Sequence, residues 1–267
     1  MLELNRIYCM DCLDGLKLLS DNCIDMTITS PPYDDLRKYN GYSFDFENIA
    51  KELYRVTKDG GVIIWVVNDS TTNGSESCTS FKQALYFREL GFNLHDTMIY
   101  RKQNYMPLTH NRYEQEFEYM FCFSKGKPKT FNPIMIICKY GGTETWGNPT
   151  VHKTSDSGLV VTNKRTVKDT KQHGNIFTYT VGSVCNDGIR HPAPFPEQLV
   201  QDQINTWSNA GDIILDCFMG SGTTAKVSIL NNRKYIGFEI SEEYCKLAES
   251  RIECTKNQLK SISNKLF

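Results

Sequence analysis

The sequence predicts an α/β fold: a doubly wound sheet interrupted by a basic insertion. Three observations carry that prediction. Short apolar, strand-like runs alternate with helical segments toward both ends of the 267-residue chain, as repeated strand–helix units require. The run Val62–Val67 is apolar without a break, the pattern of a strand covered on both faces. Between residues 125 and 190 this regularity stops, and the segment holds ten Lys or Arg against four acids, although the whole chain has a formal net charge of −1.

The first unit reads as a strand at Ile7–Cys9, a helix at Cys12–Leu19 and a strand at Asp25–Thr29 that runs straight into Pro31 and Pro32. Ser43–Val56 places Phe44, Ile49, Leu53 and Val56 at near-helical spacing. Lys58-Asp59-Gly60-Gly61 then signals a turn into the strand at Val62–Val67. A helix over Thr79–Glu89 ends at Gly91, and strands follow at Asn93–Tyr100 and Tyr119–Ser124. Beyond the insertion come a helix at Glu197–Trp207, a strand at Ile213–Phe218, a helix at Thr223–Leu230, a strand at Tyr235–Glu239 and a closing helix at Glu242–Lys256. The chain thus divides into 1–124, an irregular or β-containing module over 125–190, and 191–267.

Composition narrows the class. Hydrophobic residues make up 40% and charged residues 23%, as in ordinary soluble domains. No stretch approaches the roughly 18 apolar residues of a membrane helix. The opening MLELNRIYCMD has neither a basic nor an apolar signal region, so a cytoplasmic protein is expected. The ten cysteines are scattered, and Cys9 with Cys12 lacks a second pair at zinc-binding spacing. They read as reduced core thiols, and no metal is expected. A basic segment on an otherwise acidic body is the footprint of a phosphate-contacting module. Its candidate contacts are Lys153, Lys164, Arg165, Lys168 and Lys171.

Two motifs carry chemistry. Asp216-Cys-Phe-Met-Gly220-Ser-Gly222-Thr-Thr224 falls between a predicted strand and a predicted helix. Its glycines let the backbone turn sharply and approach a ligand, and the helix start offers free N–H groups. Glu239 follows 23 residues after Asp216 at the end of the next strand, where an acid binds the two hydroxyls of a ribose. The loop lacks both GxGxxG and GK[ST], so it is neither the dinucleotide fingerprint nor a P-loop.

The second motif is Thr29-Ser30-Pro31-Pro32-Tyr33. Proline fixes φ and lacks an N–H, and it holds the preceding residue extended. The carbonyls here are therefore held in a rigid array. The Ser30 hydroxyl and the Pro31 carbonyl can together accept both hydrogens of a planar NH₂ group. Tyr33 offers a face on which a base stacks, an interaction worth about 1–3 kcal/mol. Such a site suits an aromatic amine, whose lone pair is freed for attack on a methyl sulfonium as the nitrogen turns tetrahedral. Arg37 and Tyr39 follow the turn and are candidates to close over the base.

Taken together, these motifs make the chain resemble the amino-methyltransferases of DNA, which modify N6 of adenine or N4 of cytosine. TSPPY at 29–33 resembles the family's catalytic motif, and DCFMGSGTT at 216–224 resembles its S-adenosyl-L-methionine-binding motif. The order, catalytic motif first and cofactor loop last, is similar to the permuted β class. Asn5–Leu13, with Asp11, resembles the strand whose closing acid contacts the cofactor's adenine. His191-Pro-Ala-Pro-Phe195-Pro-Glu197 resembles the wall at its methionine end, and Lys234–Glu239 resembles the ribose-binding strand.

The resemblance implies a Rossmann-like methyltransferase domain with circularly permuted motif order and a small inserted target recognition domain at 125–190. It implies Ser30, Pro31, Pro32 and Tyr33 as the catalytic set. It implies S-adenosyl-L-methionine held by Asp11, Thr29, Phe195, Asp216, Phe218, Gly220, Ser221, Gly222, Thr223, Thr224 and Glu239. Double-stranded DNA is the implied substrate, its target base flipped out of the stack. A homodimer and a cognate restriction endonuclease are partners the family admits. Ser30 stands where many adenine enzymes carry Asp, which favours N4 of cytosine. The alternative is N6 of adenine by the same mechanism; RNA substrates and a non-catalytic DNA- or cofactor-binding module rank behind. The chain has no Pro-Cys dipeptide, so a covalent C5-cytosine mechanism is not expected.

Overall fold

The unbroken apolar run at 62–67 sorts its side chains to two faces, and the fold is built around that division. Ile63, Trp65 and Val67 enter one buried cluster, while Val62, Ile64 and Val66 enter another. The computed structural model describes residues 2–32, 44–105, 111–145, 165–181 and 195–263.

In chain order the elements begin with β1 (Arg6–Cys9), α1 (Cys12–Lys17), β2 (Ile24–Thr29), α2 (Phe46–Val56) and β3 (Thr57–Val67). A short hairpin, β4 (Thr71–Thr72) and β5 (Ser75–Glu76), precedes α3 (Thr79–Glu89), β6 (Asn93–Lys102) and β7 (Phe117–Ser124). Next come β8 (Met135–Ile137), β9 (Glu144–Thr145), β10 (Arg165–Thr166), β11 (Thr170–Gln172) and β12 (Ile176–Tyr179). The chain closes with α4 (Glu197–Trp207), β13 (Ile213–Asp216), α5 (Thr223–Leu230), β14 (Lys234–Glu239) and α6 (Glu242–Ser263).

Two compact units result, Met1–Asn132 with Asn175–Phe267, and Pro133–Gly174. The larger holds an eight-stranded sheet in the order β1-β14-β13-β2-β3-β7-β6-β12. Its neighbours pair in parallel except on either side of β7, which runs against both β3 and β6. No helix intervenes between β6 and β7 among the described residues, and antiparallel neighbours need none. Helices α1, α2 and α3 pack on one face through Leu16, Leu53 and Phe87. Helix α4 covers the other through Leu199, Ile204 and Trp207, and α6 packs with Ile7 and Tyr235 through Ala248 and Ile252. Each fully buried Leu or Ile adds about 1.5–3 kcal/mol.

The turn expected at Lys58–Gly61 lies inside β3. The register jumps from Ile24 opposite Thr57 to Met26 opposite Val62, and Gly60 takes φ +78. The turn signal is therefore met by a bulge, which a glycine at positive φ permits.

The smaller unit is narrower than 125–190. Its described residues form two two-stranded sheets, β8 with β11 and β9 with β10. Strand β12, inside the expected insertion, instead extends the large sheet, pairing Ile176–Tyr179 with Ile99–Lys102. Four residues show too little periodicity to declare a strand in sequence. Among the described residues no helix is long and apolar enough to cross a membrane.

Candidate active site

The chain leaves β2 toward α2 and β3 on one side, and leaves β13 toward α5 and β14 on the other. Their carboxyl ends lie side by side, with Leu215 opposite Thr27. The strand order reverses between them, which makes this the topological switch point of an open α/β sheet, the place where such sheets bind ligands. Both motifs singled out in the sequence begin there.

Asp216 ties the two strand ends together. It is 5% exposed, and both carboxylate oxygens are engaged. Oδ1 accepts from Thr29 Oγ1 at 2.6 Å and from the Phe218 N–H at 3.0 Å. Oδ2 accepts from Thr224 Oγ1 at 2.6 Å. Burial pushes the carboxyl up to about 6; the three donors and the nearby Glu239 act in opposite senses on it. Thr29 and Asp216, both expected at the cofactor, are thus buried against each other and brace the site from below.

The same holds for much of the Gly-rich loop. Ser221, Thr223 and Thr224 are each at most 3% exposed, so their side chains face the interior. Gly220 and Gly222 have φ +52 and +80. A Cβ on Gly222 would stand 2.8 Å from that of Ala248 on α6, so helix packing also demands glycine there. Gly222 caps α5 with no side-chain hydrogen bond. The helix start offers backbone donors and a positive dipole end to a ligand.

Glu239 closes β14 beside the loop. Its Oε2 accepts from the Gly220 N–H at 2.8 Å and its Oε1 from the Ser241 N–H at 2.9 Å. A carboxylate oxygen has capacity for a second donor, so these bonds fix the acid while leaving lone pairs for hydroxyls. Asp11 lies two residues past the neighbouring strand β1: Cys9 pairs with Glu239, and the Met10 N–H reaches the Glu239 carbonyl at 2.9 Å. Asp11 also starts α1, its Oδ1 accepting from the Leu13 N–H at 2.8 Å. Phe218 is half-buried, its ring set edge-on to Phe44 at 5.7 Å. Phe195 packs against the cluster containing Ile28.

Ser30 and Pro32 are half-buried and Pro31 is buried at the exit of β2. Tyr33, Arg37, Tyr39, Lys153 and Lys164 lie outside the described residues. Lys168 and Lys171 are exposed on the smaller unit, and Arg165 pairs with Thr145 through the backbone. Cys217, next to Asp216, is buried, and its thiol is pushed well up by burial, as is that of Cys12, to about 12. Neither suits a nucleophile, which needs the thiolate.

Sequence reasoning missed Arg251, whose guanidinium reaches Ser221 and Thr223 from α6. The readable signal was a cation within the apolar stripe Cys245, Ala248, Ile252 of that helix.

Known proteins share the sequence family and the fold of this chain. A family of DNA methylases, the N6/N4 methyltransferases, matches residues 24–250. The orphan methyltransferase M.BamHII of Bacillus amyloliquefaciens is 53% identical over 245 residues, covering 88% of this chain and 91% of that protein. The fold is shared with the cytosine-N4-specific PvuII DNA methyltransferase, with a TM-score of 0.66 at 20% identity over 94% of this chain and 91% of that one. It is shared as well with M1.HpyAVI in complex with SAM, with a TM-score of 0.59 at 22% identity over 92% and 98%. The chain belongs to the N6/N4 family of DNA methylases.

Proposed function

We propose that this DNA methyltransferase moves a methyl group from S-adenosyl-L-methionine to N4 of a cytosine flipped out of duplex DNA. The observation that carries the reading is the 2.6 Å bond from Thr29 to Asp216, which fastens the strand end bearing Ser30 to the strand end bearing the Gly-rich loop. Methyl donor and amino acceptor thereby meet across one crevice. The loop suits the cofactor: a helix start without a side-chain cap, two glycines at positive φ, Glu239 at the end of β14 and Asp11 just past β1.

In this reading Asp11 receives the adenine, Glu239 the ribose hydroxyls, and Phe195 with Phe218 the apolar parts of the donor. When bound, S-adenosyl-L-methionine supplies a methyl already activated by its sulfonium. Ser30 Oγ and the Pro31 carbonyl accept the amino hydrogens, Pro32 holds the turn rigid, and Tyr33 stacks on the base. Most of the rate then comes from positioning and fixed dipoles. The choice of cytosine rests on Ser30, a hydroxyl where an adenine enzyme's carboxylate would stand. Lys168 and Lys171, with Lys153, Lys164 and Arg165, contact phosphates.

The test is mass spectrometry of nucleosides from unmethylated genomic DNA incubated with the protein and methyl-labelled S-adenosyl-L-methionine. Label in N4-methylcytosine is expected. Label in N6-methyladenine would keep the chemistry and overturn the base assignment. Label in neither would sink the claim that the chain methylates DNA unaided.

A further inference from the structure

The Gly-rich loop is gripped from behind by a side chain that belongs to neither motif. Arg251 is 2% exposed. Its Nη1 donates to the Ser221 carbonyl at 3.1 Å, to Ser221 Oγ at 3.4 Å and to Thr223 Oγ1 at 2.9 Å. Its Nη2 donates to Glu197 Oε1, which also accepts from Lys226 Nζ at 2.8 Å. Glu197 opens α4, Lys226 lies on α5 and Arg251 on α6, so one carboxylate and one guanidinium join three helices beneath the loop.

A guanidinium is costly to bury unless its donors are met by fixed acceptors. Here the acceptors lie at the point where loop becomes helix. The peptide between Ser221 and Gly222 is held on both edges: its carbonyl by Arg251, and its N–H by the Met219 carbonyl at 3.0 Å. A planar unit pinned on both edges cannot rotate, and this one sets the direction in which α5 begins. The rigid fork of Arg makes such a two-sided grip, whereas the single ammonium of Lys does not.

We propose that Arg251 is a positioning residue for the cofactor. It acts through Ser221 and Thr223 to hold the loop in its binding conformation, and through Glu197 it fixes that loop to α4. The inference rests on the reading that this loop binds S-adenosyl-L-methionine.

The experiment is calorimetric titration of the full chain with S-adenosylhomocysteine, for the wild type, R251K, T223V and the double variant, with ligand-free thermal melts alongside. R251K should bind about tenfold more weakly or worse, while its ligand-free melting midpoint stays within a few degrees of the wild type. The double variant should bind no worse than R251K, because both changes remove one shared interaction. R251K binding like the wild type, or losses that simply add, would overturn the proposal. Should R251K fail to fold, T223V decides: weaker binding at an unchanged ligand-free midpoint supports the role, and unchanged binding overturns it. A wild type that does not bind S-adenosylhomocysteine would instead overturn the cofactor reading itself.

Discussion

The Gly-rich loop and the small unit Pro133–Gly174 are opposites in construction. Around the loop the polar atoms of Asp216 all meet donors, and Thr223 and Thr224 are almost wholly buried. The described residues of the small unit form short paired strands and leave Met135, Ile137 and Tyr140 51%, 86% and 62% exposed. Lys139 lies over the Tyr140 ring at 5.4 Å, and Lys168 and Lys171 face outward. A site for one small ligand gains from being fixed before the ligand arrives, because its ordering cost is met during folding. A surface of exposed cations and apolar side chains suits a large charged partner, and short strands bury too little to hide it.

The comparison can be broken from either side. The largest effect is expected at Ser30, which adjoins the fixed region and is proposed to accept an amino hydrogen of the reacting base. Ser30→Ala should lower kcat by about 10²–10³-fold, with S-adenosylhomocysteine affinity held within about twofold. Near-full turnover in steady-state assays would remove Ser30 from the mechanism.

Next comes Asp216→Ala, which strands two hydroxyls and an N–H in a buried site. A loss of about 2–4 kcal/mol in denaturant unfolding is expected, together with weakened cofactor binding. The acid itself has a pH signature. Its folded-state value, about 6, lies above the unfolded 3.8. Its favourable contribution is therefore fully present below about 3.8 and fades as pH rises through about 6. The change is on the order of 3 kcal/mol. Asp216→Asn should flatten the stability profile across that window; an unchanged profile would show that the carboxyl titrates normally.

The exposed unit should respond in the reverse manner. Lys168→Ala with Lys171→Ala should leave stability within about 0.5 kcal/mol. The same pair should weaken binding to all DNA sequences alike and reduce the salt slope of log K by about 2. A change confined to one sequence would mean base readout rather than phosphate contact.

The smallest effect belongs to Thr27, whose Oγ1 is buried without a hydrogen-bond partner among the described residues, in the middle of β2. Thr27→Val should raise stability by about 1 kcal/mol, read as an upward shift in melting temperature. A fall would show that the hydroxyl is satisfied in solution.

Much of this is legible in the sequence. Helices at Thr79–Glu89, Glu197–Trp207 and Thr223–Leu230 carry their own periodicity or start at a glycine signal, and their expected bounds are those observed. Strand β12 was not legible, because a four-residue strand at a sheet edge is defined by its partner β6 rather than by its own pattern. The antiparallel setting of β7 was likewise hidden. A strand buried on both faces looks the same whichever way its neighbour runs.

By itself the sequence determined the chemistry available: Ser-Pro-Pro removes N–H competition from one turn, and Gly220 and Gly222 admit a backbone that other residues resist. Those are local properties, set by covalent structure and φ preference. Only the tertiary structure decided what each group touches. It placed Thr29 beside Asp216 across 187 positions of chain, and it carried Arg251 beneath a loop 30 residues away. It buried the side chains of Thr29, Thr223 and Thr224, all three expected at the cofactor, and tied Thr29 and Thr224 to Asp216. The physical reason is that a hydrogen bond inside a core depends on which strands and helices become neighbours, and that is fixed by the packing of the whole sheet.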